Sequence, residues 1–198
     1  MHYPSDSALL VVDVQNDFAD PAGSLYVTGA DNAVARVVEE VKAARLADRP
    51  VLYTADWHPP RTPHFDVDGG VWPVHCVADT WGAAFHPDLP VVGPVVRKGV
   101  DGGDGYSGFS VRDPESGAQS STELADLLQG HRVGHLVVTG IATDVCVAAT
   151  VLDARRLGLE VTVLADATAA VELRDGDTAQ ALAAMRQAGA VIEGEPAR

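Results

Sequence analysis

The sequence has 198 residues, 46% of them hydrophobic, with 28 acidic residues against 14 Lys and Arg and a formal net charge of −14. That length suits one domain with a sizeable core, and the acidic excess argues against nucleic acid and anionic membrane as partners, since both need a basic footprint. No apolar run approaches the roughly 20 residues that cross a bilayer, and residues 1–7 carry no basic stretch ahead of an apolar one, so a cytoplasmic location is expected and the two cysteines, Cys76 and Cys146, are expected as thiols.

In chain order, residues 8–14 (ALLVVDV) read as a buried strand. Residues 31–47 place Val34, Val37, Val38 and Val41 at helical spacing and read as an amphipathic helix. Residues 50–55 read as a second strand, and residues 91–97 as a third, interrupted by Gly93 and Pro94. A helix follows over 122–128, a strand over 135–140, and a helix over 143–157 closed by Gly158. The pattern ends with a strand over 159–164, a helix over 177–187 and a short strand over 190–193.

Strands alternating with helices imply a single α/β domain over residues 1–198, a three-layer α/β/α arrangement around a mostly parallel sheet. Two stretches break the rhythm. Residues 57–90 are rich in Pro, His, Asp and Gly, and residues 99–117 are rich in Gly and polar side chains. Loops that long inside a compact domain usually serve function. Sites in open α/β sheets lie outside the carboxyl ends of the strands. Asp13, Asp56, Lys98 and the turn 140–146 occupy those ends, so four separate segments send reactive groups to one edge.

Cys146 follows the turn Gly140-Ile-Ala-Thr-Asp-Val, with Thr143 or Asp144 as N-cap candidates. In a first helical turn, free N–H groups and the helix dipole favour a thiolate and suit an oxyanion. A buried structural thiol is the rival reading of this turn alone. Asp13 ends an apolar strand, where a carboxylate is costly without a purpose. It suits a general base, with a cap or turn role as the alternative. Lys98 alone suits a solvated surface group; beside Asp13 and Cys146 its ammonium would favour their anionic forms. Asp56, His58, His64 and His75 put one carboxylate and three of the seven histidines within 20 positions. Such residues ligate Zn²⁺, Fe²⁺ or Mn²⁺ in mixed sites, and they also occur as ordinary loop hydrogen-bonders. Cys76 offers a softer ligand or a packed core thiol.

Taken together, Val12-Asp13-Val14-Gln15-Asn16-Asp17-Phe18, Asp56-Trp57-His58-Pro59 with His64, Trp72-Pro73-Val74-His75-Cys76-Val77, Arg97-Lys98-Gly99, Tyr106-Ser107-Gly108-Phe109 and Gly140-Ile141-Ala142-Thr143-Asp144-Val145-Cys146-Val147 resemble the nicotinamidase/pyrazinamidase enzymes within the isochorismatase-like cysteine hydrolases. The resemblance spans positions 12 to 147. It implies Asp13, Lys98 and Cys146 as a catalytic triad. It implies an oxyanion hole from the N–H groups of Ala142 and Cys146, with a cis peptide between Ile141 and Ala142. Phe18, Trp72, Tyr106 and Ile141 would contact substrate. Asp56, His58, His64 and His75 would hold one divalent metal ion, Zn²⁺ first, with Fe²⁺ or Mn²⁺ as alternatives.

The implied reaction is hydrolysis of nicotinamide to nicotinate and ammonia in NAD salvage, with pyrazinamide as an analogue. The alternative is an isochorismatase-like hydrolase of another small amide or of isochorismate, a group that generally lacks the Asp-x-His…His set. The resemblance leaves homo-oligomerisation open. Two departures bear on substrate range. Val145 stands where some members carry a polar or aromatic residue, and the segment 99–105 is Gly- and Asp-rich.

Overall fold

The computed structural model describes residues 3–197. In chain order the elements are β1 (Ser7–Val12), α1 (Asn16–Ala19), α2 (Ala30–Leu46), β2 (Val51–Asp56), β3 (Val95–Lys98), β4 (Ser110–Arg112), β5 (Gln119–Ser121), α3 (Leu124–Gly130), β6 (His135–Ile141), α4 (Ala148–Arg156), β7 (Glu160–Ala169), α5 (Asp177–Gln187) and β8 (Val191–Glu193). A one-turn 3₁₀ helix at Asp66–Asp68 lies in the long loop, and a π-helical turn at Thr143–Val147 precedes α4.

Six strands form a parallel sheet in the order β3-β2-β1-β6-β7-β8, and β4 pairs with β5 in a separate antiparallel hairpin. The order reverses between β1 and β6, because β2 and β3 extend one way and β7 and β8 the other. A doubly wound sheet opens a crevice at that point. Val12 pairs with Gly140 there, which brings Asp13 and the turn after β6 side by side.

The central strands are apolar throughout because both faces are covered. Along β1, Leu9 and Val11 pack into one cluster with Val34, Val37 and Val41 of α2, while Ala8, Leu10 and Val12 pack into the other with Leu136, Val138 and Val151. The side-chain period of two therefore feeds two cores from one strand, each buried aliphatic residue contributing about 1.5–3 kcal/mol. Among the described residues, no helix is long and apolar enough to cross a membrane.

The expected elements are present, with shifted ends. The third strand starts at Val95, after Pro94, and runs to Lys98. Strand β7 continues to Ala169, five residues beyond expectation, because Ala, Asp and Thr in its second half send no apolar signal. The β4–β5 hairpin and α1 were too short and polar to announce themselves. Where a helix was expected over 143–157, a π turn occupies the first five positions.

Candidate active site

Asp13, Lys98 and Cys146 meet at the crevice. The ammonium of Lys98 lies 2.7 Å from Asp13 Oδ2 and 3.7 Å from Cys146 Sγ. It also donates to Asp56 Oδ1 and to the carbonyl of Gly105. A carboxylate oxygen of Asp13, one of Asp56 and the Cys146 sulfur all lie within 4.8 Å of one another. Asp13 and Lys98 are fully buried. Asp13 leaves β1 with a φ of 48°, and its Oδ1 accepts from the Thr54 hydroxyl at 2.7 Å.

The electrostatics correct one expectation. Burial pushes the Cys146 thiol well up, the carboxylates of Asp13 and Asp56 add to the shift, and Lys98 only partly opposes it. The resting group is therefore a thiol, not the thiolate read from the helix end. Burial also raises Asp13, to about 6 against the pull of Lys98, which makes it a carboxylate ready to take a proton. Burial disfavours the charge on Lys98, but Asp13 and Asp56 outweigh it and hold the ammonium well above its ordinary range.

The turn bearing the sulfur also differs from expectation. Neither Thr143 nor Asp144 caps a helix. The first helical turn is wound as a π turn, closed by the Val147 N–H donating to Ala142 O at 3.0 Å, and its N-cap is Ala142 without a side-chain cap bond. The Thr143 hydroxyl instead donates to Thr168. The Asp144 carboxylate accepts the N–H groups of Val171 and Glu172, pinning the segment after β7 over the site. The Ile141–Ala142 peptide is cis. Single π turns of this kind concentrate at functional sites.

Asp56, His58, His64 and His75 are gathered beside this group. All four are buried, and one ring nitrogen of each histidine lies within 4.8 Å of the others. Asp56 Oδ2 is 4.0 Å from His58 Nε2 and 3.8 Å from His75 Nε2. His75 donates from Nδ1 to Pro73 O at 2.7 Å, which leaves its Nε2 lone pair free. Among the described residues, both ring nitrogens of His58 are buried without a hydrogen-bond partner. A buried imidazole left so is costly, and a cation would satisfy it. Burial lowers His58 to about 4 and also lowers His75, so both rings are neutral and able to ligate. The donor set fits a divalent transition metal. Cys76 is not part of it: its fully buried thiol lies 4.0 Å from Gly82 O.

An apolar pocket of about 390 Å³, mouth included, opens onto Cys146, Ala142, Asp56, His64 and His75. Phe18, Trp72, Tyr106 and Ile141 line it, and the Trp72 indole N–H donates to the Tyr106 hydroxyl at 2.9 Å. Gly105 and Val145, the latter marked in the sequence as bearing on substrate range, complete the wall with Leu25, Val27 and Val171, which the sequence did not single out. Lone aliphatic residues in loops carry no sequence signal. Gln15 was missed as well: its amide donates to Asp56 O and Ala83 O, and its Oε1 accepts the Asp56 N–H. It thus ties the end of β1 to the end of β2. Its place two residues after Asp13 was the available clue. Asp17 also escaped notice; its carboxylate accepts the Cys76 and Ser24 N–H groups and orders the chain next to His75.

Comparison with known proteins agrees with this geometry. The isochorismatase domain family matches residues 7–195. The chain is 35% identical to the nicotinamidase of Escherichia coli (strain K12) over 93% of each chain. It is 41% identical to the nicotinamidase/pyrazinamidase of Mycobacterium tuberculosis (strain ATCC 25618 / H37Rv), covering 91% of this chain and 95% of that one. The crystal structure of the pyrazinamidase of Pyrococcus horikoshii in complex with zinc superposes with a TM-score of 0.84 at 36% identity, covering 95% of this chain and 98% of that one. The PnC1 structure from L. infantum in complex with nicotinate gives 0.83 at 35% identity, covering 98% and 95%. With a matched domain spanning nearly its whole length and a doubly wound sheet shared with these relatives, the chain belongs to the isochorismatase family.

Proposed function

We propose that this protein is a cytoplasmic nicotinamidase, which hydrolyses nicotinamide to nicotinate and ammonia, accepts pyrazinamide as an analogue and works through a thioester on Cys146. One observation carries the reading. Asp13, Lys98 and Cys146 converge, and Cys146 opens onto an apolar pocket that Asp56, His64 and His75 also line. The relatives at 35% and 41% identity, named for this activity, support it.

The aromatic walls of Phe18, Trp72 and Tyr106 would hold the pyridine ring and exclude water. The Cys146 thiol gives its proton to Asp13 as the sulfur bonds to the carboxamide carbon. Charge then develops on the former carbonyl oxygen. The N–H groups of Ala142 and Cys146 would receive it, at about 3–4 kcal/mol per donor in comparable hydrolases. Asp13 returns the proton to the nitrogen as the C–N bond breaks, releasing ammonia and leaving the thioester. A water molecule next gives a proton to Asp13 and bonds to the acyl carbon. The C–S bond breaks, the sulfur regains its proton from Asp13, and the acid leaves, giving its own proton to water to become nicotinate.

Lys98 stays charged throughout and offsets the anionic charge that passes between Asp13 and Cys146. Asp56, His58, His64 and His75 would hold a divalent cation, which when bound supplies a Lewis acid for an electron-rich ring nitrogen of the substrate.

The test is ammonia release from nicotinamide by protein of defined metal content, with pyrazinamide, isochorismate and simple aliphatic amides run in parallel. Nicotinamide should be turned over most efficiently, and Cys146→Ala should lose all turnover while keeping the circular dichroism of the parent. Preferred turnover of isochorismate or an aliphatic amide rejects the substrate assignment. Near-parental ammonia release by Cys146→Ala rejects the covalent route.

A further inference from the structure

We propose that Asp104 is a positioning residue for the metal centre: its carboxylate takes the Nδ1 hydrogen bond of His64 and fixes that ring with Nε2 directed at the cation. The inference rests on the reading of Asp56, His58, His64 and His75 as ligands. It concerns a residue outside the ligand set, in the Gly- and Asp-rich segment 99–105, which the sequence marked only as bearing on substrate range.

The contact is short and sheltered. His64 Nδ1 lies 2.7 Å from Asp104 Oδ1, with side-chain exposures of 4% and 13%. A carboxylate only accepts, so Nδ1 carries the hydrogen and Nε2 keeps the lone pair. The three histidines thus differ in their outer partners: a carboxylate for His64, the Pro73 carbonyl for His75 and, among the described residues, none for His58. A carboxylate partner fixes the tautomer and makes an imidazole a stronger donor than a carbonyl partner does.

The surroundings hold Asp104 in place. Its N–H donates to Arg112 O at 2.7 Å, and the Arg112 N–H donates back to its carbonyl at 3.1 Å. The Arg112 guanidinium stands 3.8 Å from the other carboxylate oxygen. Arg112 belongs to the β4–β5 hairpin, so the hairpin anchors the carboxylate. Gly103 lets segment 102–104 approach β4: a Cβ there would lie 2.5 Å from Val111 Cγ1 and 3.0 Å from Arg112 O. A second tie runs through Thr62, whose hydroxyl donates to Gly102 O at 2.5 Å and accepts the His64 N–H at 3.2 Å. Segment 102–104 therefore restrains both the backbone and the ring of His64.

The experiment titrates metal-free protein with Zn²⁺ against a chromophoric chelator, and records the melting point of each metal-free sample. It compares the parent chain, Asp104→Asn, Asp104→Ala, His64→Ala and the double variant His64→Ala/Asp104→Ala. The parent should bind one equivalent. Both Asp104 variants should bind about 10–100-fold more weakly, the usual effect of losing an outer partner of a ligand, with unchanged metal-free melting points. In the His64→Ala background the Asp104 change should have no further effect, since its action passes through that ring. Parental affinity in both Asp104 variants overturns the proposal and leaves the metal reading standing. An equal loss in both backgrounds also overturns it, as the mark of a general structural role. A parent chain that binds no Zn²⁺ overturns the metal reading and this proposal with it.

Discussion

Lys98→Met removes a buried positive charge with little change of shape, and its cost follows from what stays behind. Lys98 is fully buried and ion-paired with two carboxylates, Asp13 at 2.7 Å and Asp56 closer still. Both carboxylates are themselves buried. Removing one partner from a buried charge pair typically costs about 3–5 kcal/mol, because the remaining charge is uncompensated. At about 2.1 cal/mol/K per residue, unfolding these 198 residues carries an entropy near 0.4 kcal/mol/K. The metal-free variant should therefore melt about 7–12 °C below the parent at neutral pH. Metal-free protein is the right sample, since a bound cation would itself compensate Asp56.

The penalty should depend on pH. Asp13 is already raised to about 6, by burial against the opposing pull of Lys98, so losing the lysine raises it further. A carboxyl raised on folding stabilises the fold when protonated. That contribution is complete below about pH 4 and disappears as pH rises through the folded value. The gap between variant and parent should thus narrow on moving from about pH 8 to about pH 5. Adding Asp13→Asn to Lys98→Met should recover part of the lost stability. Differential scanning calorimetry across pH reads all three effects. A single variant that melts with the parent, or a double variant no more stable than the single, would refute the account of Lys98 as the counterion of this centre.

Three further outcomes are expected. Gly99→Ala should lower both the melting point and Zn²⁺ affinity, because Gly99 has a φ of +78° and a Cβ there would lie 2.5 Å from His58 Cε1; parental values in calorimetry and chelator competition would contradict this. Trp72→Phe removes the indole donor to Tyr106 while keeping an aromatic wall, so KM for nicotinamide should rise several-fold with a smaller change in kcat, and steady-state kinetics showing a loss confined to kcat would oppose the wall role. Gln15→Leu deletes a buried amide that makes three hydrogen bonds to the β2 end and the 83 carbonyl; orphaned backbone groups cost about 1–3 kcal/mol each, and urea unfolding with an unchanged midpoint would show that the clamp contributes nothing.

Much of the site was legible in the chain because strand ends are legible. Asp13, Asp56 and Lys98 each follow or close an apolar run, and a parallel sheet delivers such positions to one edge whatever the details of packing. The histidine cluster was visible from composition, and the Cys146 turn from its place between a strand and a helix. What remained hidden depends on environment. The thiolate expectation used only the local helix end, whereas the protonation of Cys146 is decided by burial and by Asp13 and Asp56, far away in sequence. Thr143 and Asp144 are good capping residues, yet partners across the fold, Thr168, Val171 and Glu172, claim their side chains.

The pattern of apolar runs and reactive strand ends was thus enough, by itself, to determine the layered α/β arrangement and the edge where chemistry gathers, because side-chain periodicity and strand polarity are local properties of the chain. Only the tertiary structure decided which groups hold one another: Lys98 between two carboxylates, Gln15 across two strand ends, Asp104 behind His64. Those pairings span tens of residues and rest on distances of a few ångströms, and the desolvation that sets their charges arises only when the separate segments close over them.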